Sequence, residues 1–191
     1  ADLAGSDPSG GAGIQADLKA ISALGGYGCA VLTALTAQNT VGVTGIHVVP
    51  AGFVVEQLTT LVADVRLDAA KIGMLATAEV ATAVGGAINQ LDCPVVLDPV
   101  MIATSGSRLL DAAAMHADRD LVPLADAITP NLHEAAALLG TEPATDVDQM
   151  CRQAEALVAV GARRVLVKGG HRTGDQAVDV WVDETGLHRL S

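Results

Sequence analysis

Short apolar runs alternate along this chain with segments whose apolar residues recur at helical spacing. The runs, each short enough for a strand, lie at Ala1–Ala4, Cys29–Leu35, Val43–Val49, Ala69–Met74, Pro94–Leu97, Ala125–Thr129 and Val165–Lys168. Between the first two, Ile14, Leu18, Ile21 and Leu24 keep a helical period until Gly25-Gly26 stops it. Further helices are predicted over Phe53–Val65, Ala78–Leu91, Asp111–Leu121, Pro130–Leu139 and Asp146–Val160. A closing hairpin joins Ala177–Val182 to Leu187–Leu190 around Glu184-Thr185-Gly186. Strand and helix in alternation predict an α/β fold with a parallel sheet covered on both faces. With no linker or internal repeat, residues 1–191 are expected to form one domain.

In such folds ligands bind beyond the carboxyl ends of the strands. The polar clusters of this chain mostly fall there: Ser6-Asp7, Gln38-Asn39, Gly73-Met74, Asp98, Asn131 and Lys168-Gly169-Gly170. The net charge of −11 lacks the basic footprint of a nucleic-acid binder, so no nucleic-acid partner is expected. An anionic ligand would have to be held by backbone amides and a few placed cations. No run approaches a membrane span and no basic, apolar leader opens the chain, so a cytoplasmic protein without a membrane partner is expected. Cys29, Cys93 and Cys151 have no metal-binding spacing and are read as reduced thiols.

Each cluster admits two readings. Gly5-Ser6-Asp7-Pro8-Ser9-Gly10-Gly11-Ala12-Gly13 is not a Walker A loop, because no Gly-Lys-Ser/Thr follows. Gly11 to Ala16 fits the dinucleotide fingerprint, but the second strand ends in Gln38-Asn39 rather than the acid that binds a ribose. A ligand cradle is expected over a plain turn. Asp17 is either a ligand-binding carboxylate or a surface acid favoured by the helix dipole. Gln38 and Asn39 offer amides to a polar ring, or turn chemistry before Gly42. Asp98, before Pro99, suits the metal or phosphate side of a site. Asn131 and Glu134 share one helix face; they suit a hydrated Mg²⁺ or a helix cap. Lys168, Gly169 and Gly170 suit a phosphate or a turn into the hairpin. His47, His116, His133 and His188 show no ligand spacing and are read as surface or structural.

Taken together these segments resemble the hydroxymethylpyrimidine/phosphomethylpyrimidine kinases of thiamine biosynthesis. Residues 4–17 resemble the amino-terminal signature of that family. Thr36–Thr40, Lys71–Leu75, Val96–Met101, Ile128–Ala135 and Val167–His171 follow in the same order. The resemblance implies a ribokinase-like α/β/α fold with a mostly parallel central sheet. It implies ATP- and Mg²⁺-dependent phosphorylation of 4-amino-5-hydroxymethyl-2-methylpyrimidine and then of its monophosphate. It also implies a homodimer, with the pyrimidine as the small-molecule partner. By the same resemblance Gly5, Asp17, Gln38, Met74 and Val100 line the pyrimidine pocket. Asp98 and Glu134 serve Mg²⁺, with Asn131, Lys168 and Gly170 beside the nucleotide. Thr104–Arg108 would form a flap. Members of the family carry a Gly-rich anion hole with a catalytic Cys or Asp, roughly Gly-Thr-Gly-Cys, after the closing hairpin. It is expected after Ser191, so no catalytic residue is assigned within the chain. The parent protein is accordingly expected to be longer and the fold incomplete at the carboxyl terminus. Two alternatives remain open, a pyridoxal kinase and a pyrimidine-binding module without catalysis.

Overall fold

A computed structural model describes residues 1–101, 112–170 and 177–191. The expected flap, Thr104–Arg108, and His171 lie outside the described residues. Six strands run parallel in the order β2 (Ala30–Leu32), β1 (Asp2–Ala4), β5 (Ala70–Ile72), β6 (Val95–Leu97), β7 (Ala127–Ile128) and β8 (Val165–Val167). The hairpin of β9 (Asp179–Asp183) and β10 (Gly186–Leu190) continues the sheet antiparallel beyond β8. The crossovers run outward in both directions from β1, which makes the gap between β1 and β5 the switch point of the sheet.

The apolar run Cys29–Leu35 is not one strand. It breaks at Thr33 into β2 and β3 (Ala34–Gln38), and β3 leaves the main sheet to pair with β4 (Val43–Val48). Thr33 is fully buried and forms the pivot. Its N–H donates to Ala4 O (3.1 Å), its carbonyl accepts from Val49 N–H (3.0 Å) and its hydroxyl donates to Met74 O (2.6 Å). An apolar run carries no mark of this break, because both halves are extended and both bury alternate residues.

One sheet face holds the core. Ile72, Leu97, Ile128, Val165 and Val180 pack there against α2 (Ala51–Val62), α3 (Ala78–Ile88), α4 (Ala112–Leu121), α5 (Leu132–Leu139) and α6 (Val147–Ala159). The opposite face is different. Alternation puts Asp2, Lys71, Val96, Leu166 and Trp181 there. Among the described helices only α1 (Gly13–Ala23) reaches this face, over β1 and its neighbours. Val96, Leu166 and Trp181 are half-buried. Among the described residues, helices thus lie on both faces of the sheet, with α1 alone on the second.

Within α4, Asp118 is buried and its Oδ1 has no hydrogen-bond partner among the described residues. Burial pushes its carboxyl up to about 7. The folded chain thus keeps a proton that the unfolded chain releases near pH 4, so stability falls as pH rises from about 4 to 7 and levels off above. Urea midpoints measured between pH 5 and 8 should fall in the wild type and fall less steeply in Asp118→Asn.

Candidate active site

The site is built where the parallel strands end. After β1 the chain passes Gly5 and turns back into α1, and Ile14 N–H donates to Gly5 O (3.1 Å). That approach demands glycine at Gly13, whose φ is +56° and whose added Cβ would lie 2.3 Å from Gly5 O. The Gly-rich loop is closed on its own acid. Asp7 accepts from Ser9 N–H (2.9 Å), the Ser9 hydroxyl (2.7 Å), Gly11 N–H (3.1 Å) and Ala12 N–H (2.9 Å). Burial works against the charge, yet these donors hold the Asp7 carboxyl below its ordinary range. Asp7 thus takes up the amides of Ser9, Gly11 and Ala12, and these bonds fix the loop between Gly5 and α1.

Gly5 and Met74, two of the expected pocket residues, meet. Met74, just past β5, lies so close that a Cβ on Gly5 would stand 2.4 Å from its Cε. Gln38 ends β3 half-buried, 3.2 Å from the Thr36 hydroxyl. That hydroxyl gives its one proton to Ser6 O at 2.7 Å, which leaves the Gln38 amide available. Asn39 takes the other reading: its Oδ1 accepts from Val41 and Gly42 N–H and closes the β3–β4 turn. Val100 stands one strand away from Met74, after β6, in a tight turn where its N–H donates to Asp98 O (2.8 Å).

Asp17 is not a free surface acid. Its Oδ2 accepts from Lys71 Nζ at 2.6 Å, and Asp2 Oδ1 lies 3.7 Å from the same ammonium. Desolvation opposes the charge on Lys71, but Asp2 and Asp17 outweigh it and raise its pKa. Lys71 opens the Lys71–Leu75 segment, but neither it nor Asp2 is assigned a role by the sequence. A signal was present: each is a charged residue inside an otherwise apolar strand.

The second group gathers at the ends of β6, β7 and β8. Asp98 Oδ1 accepts from Lys168 Nζ (2.7 Å) and from the Thr129 hydroxyl (3.1 Å). A parallel bridge pairs Asn131 with Lys168. Asn131 and Glu134 form a complete capping box: Asn131 Oδ1 accepts from Glu134 N–H (3.0 Å), and Glu134 Oε2 accepts from Asn131 N–H (2.7 Å). Burial raises the Glu134 carboxyl, against the pull of the Asn131 amide and Lys168. The close approach in the Lys168-Gly169-Gly170 turn falls on Gly169, where a Cβ would sit 1.9 Å from Val178 O. Among the described residues nothing lies within 4 Å of where a Cβ on Gly170 would stand. Among the described residues no three His, Cys, Asp or Glu side chains form a metal cage. Asp98 with a buried Glu134 nearby fits a mostly hydrated Mg²⁺, which needs few protein ligands.

Residues 7–191 match the family model for phosphomethylpyrimidine kinase. The chain belongs to that family. It is 49% identical over 189 residues to the hydroxymethylpyrimidine/phosphomethylpyrimidine kinase of Rhizobium meliloti, covering 98% of this chain and 71% of that protein. Against the thiamine biosynthesis multifunctional protein ThiED of Corynebacterium efficiens it is 50% identical, covering 92% of this chain and 24% of that protein. The crystal structure of phosphomethylpyrimidine kinase from Clostridium difficile superposes with a TM-score of 0.90 at 40% identity, over 99% of this chain and 82% of that one. An ADP complex of Bacillus subtilis pyridoxal kinase gives 0.88 at 36% identity, over 99% and 73%. The ribokinase-like α/β class expected from the sequence agrees with both structures.

Replacing Asp7 by Ala strips the acceptor from the amides at the start of α1. It should cost about 1–3 kcal/mol in urea unfolding, and pyrimidine affinity, measured by calorimetry, should fall with it.

Proposed function

We propose that this chain carries the ATP-dependent phosphorylation of the hydroxymethyl group of 4-amino-5-hydroxymethyl-2-methylpyrimidine and of its monophosphate. The observation that carries this reading is the meeting of two unlike groups on one sheet edge. Beside the switch point, Gly5 and Met74 offer an apolar surface to a flat ring, with Gln38 and Asp17 as polar partners for its edge. Val100, at the end of the neighbouring strand, completes the lining. At the ends of β6 to β8, Asp98, Asn131 and Lys168 serve the phosphates, with Gly170 leaving room for the nucleotide.

The hydroxymethyl oxygen, and in the second step a phosphate oxygen of the monophosphate, attacks the γ-phosphate in line as the bond to ADP breaks, and positioning and electrostatics supply most of the acceleration. Asp17 and Gln38 orient the ring, and Met74 excludes water from its face. Lys168 meets the phosphates, passing from Asp98 to the incoming anion. Asp98 would hold Mg²⁺ directly and Glu134 through water, because backbone amides already occupy Glu134. Bound there, the ion supplies neutralisation of phosphate charge.

A second reading, a pyridoxal kinase, draws on the similarity to the Bacillus subtilis enzyme. Its substrate also carries a hydroxymethyl group, so the polar partners around Met74 decide between them. Among the described residues no helix is long and apolar enough to cross a membrane, and the reaction proposed is a cytoplasmic one. Leu35 and Ile46 on the β3–β4 ribbon, Val41 at its tip and Phe53 on α2 are exposed, and burying them supports a homodimer. Light scattering on the eluted protein should give twice the chain mass, and Leu35→Glu with Phe53→Glu should halve it.

The deciding assay follows ADP release with MgATP and the pyrimidine, with pyridoxal as competitor. Turnover suppressed weakly by pyridoxal supports the pyrimidine kinase. Preferential use of pyridoxal supports the second reading, and binding without turnover in the full gene product supports a pyrimidine-binding module. Lys168→Ala should raise the KM for ATP by about tenfold or more, with pyrimidine affinity nearly unchanged. Equal loss of both would overturn its nucleotide role.

A further inference from the structure

Asp2 is fully buried in β1, and neither of its carboxylate oxygens has a hydrogen-bond partner among the described residues. It faces Lys71 directly, because parallel pairing of β1 with β5 sets the two residues side by side on one sheet face. The Lys71 stem runs up this face past Gly73, where an added Cβ would stand 3.5 Å from Nζ and 3.0 Å from Ala4 Cβ. The small residues Ala4 and Gly73 clear the path of the lysine. At its tip the ammonium meets Asp17 Oδ2 at 2.6 Å. The Asp17 carboxylate keeps partial access to solvent.

We propose that Lys71 and Asp2 are positioning residues for the ring: Asp2 anchors the Lys71 ammonium from beneath, and Lys71 fixes one oxygen of Asp17 so that the other accepts from a ligand N–H or O–H. This rests on the pyrimidine reading of the site. The arrangement matches what a charged acceptor needs. An unpinned aspartate on a helix samples several rotamers, and binding would have to freeze them. Lys71 freezes them beforehand. Asp98 is the next charge felt by Lys71. Burial raises the Asp2 carboxyl to about 7 against the pull of Lys71, and the neighbouring Asp17 carboxylate adds to the rise.

The test uses Lys71→Met, Lys71→Arg and Asp2→Asn in the full protein, with steady-state KM for the pyrimidine and for ATP and the thermal midpoint of each variant. Lys71→Met should raise the pyrimidine KM by about tenfold to a hundredfold, leave the ATP KM within a factor of two to three, and be largely rescued in Lys71→Arg. Asp2→Asn should shift the pyrimidine KM in the same direction by less. Unchanged pyrimidine KM in a folded Lys71→Met variant would overturn the proposal. So would parallel losses for both substrates that track a lowered thermal midpoint, which would mark a structural role. Wild-type protein that neither binds nor phosphorylates the pyrimidine would instead overturn the function on which the proposal rests.

Discussion

Six strands pointing the same way place six chain exits on one edge of the sheet, and the rest of the molecule follows from that constraint. Each exit must leave the sheet with its backbone groups satisfied, and the residues that do this are also those with chemistry to offer. Thr33 binds three backbone partners and sends the chain out into a separate ribbon that ends at Gln38. Asp7 takes up the amides around the α1 start and fixes Gly5. Asn131 caps α5 and bridges to Lys168. Structural and functional roles are not alternatives at this edge, since the same bonds that end a strand aim the neighbouring side chain.

Charge is arranged along the edge in alternation. Asp2 and Asp17 flank Lys71, Asp98 follows, and Lys168 closes the row. A chain with a net charge of −11 cannot draw an anionic ligand by its overall field. Its two edge lysines are therefore embedded among carboxylates that hold them in place. Lys168 and Lys71 are both half-buried, which limits screening and strengthens each pairing.

Much of this was legible in the sequence. Helical and strand periods marked the element order, and the polar residues after each apolar run marked the edge. Turn chemistry was harder to tell from ligand chemistry. Gln38 and Asn39 are adjacent amides, yet one lies beside the Thr36 hydroxyl and the other closes a hairpin. Composition gives both the same weight, and only the ribbon's twist and pairing separate them. The Gly-rich loop carried the opposite ambiguity: its glycines suggested a cradle, and Asp7 within it takes up amides of the loop. Lys71 and Asp2 were assigned no role because a strand's register, which sets them side by side, is a long-range fact that no local pattern records.

The sheet face that α1 reaches holds the chain's single tryptophan. Trp181 lies there half-buried beside Leu166, with its indole N–H on Asp183 Oδ2 (2.8 Å). With no second indole to blur the signal, its emission colour and its quenching by iodide report on this one surface. Anything that settles over the face would shift the spectrum to the blue and shield the ring. The molecule thus carries its own optical gauge of how completely its sheet is enclosed.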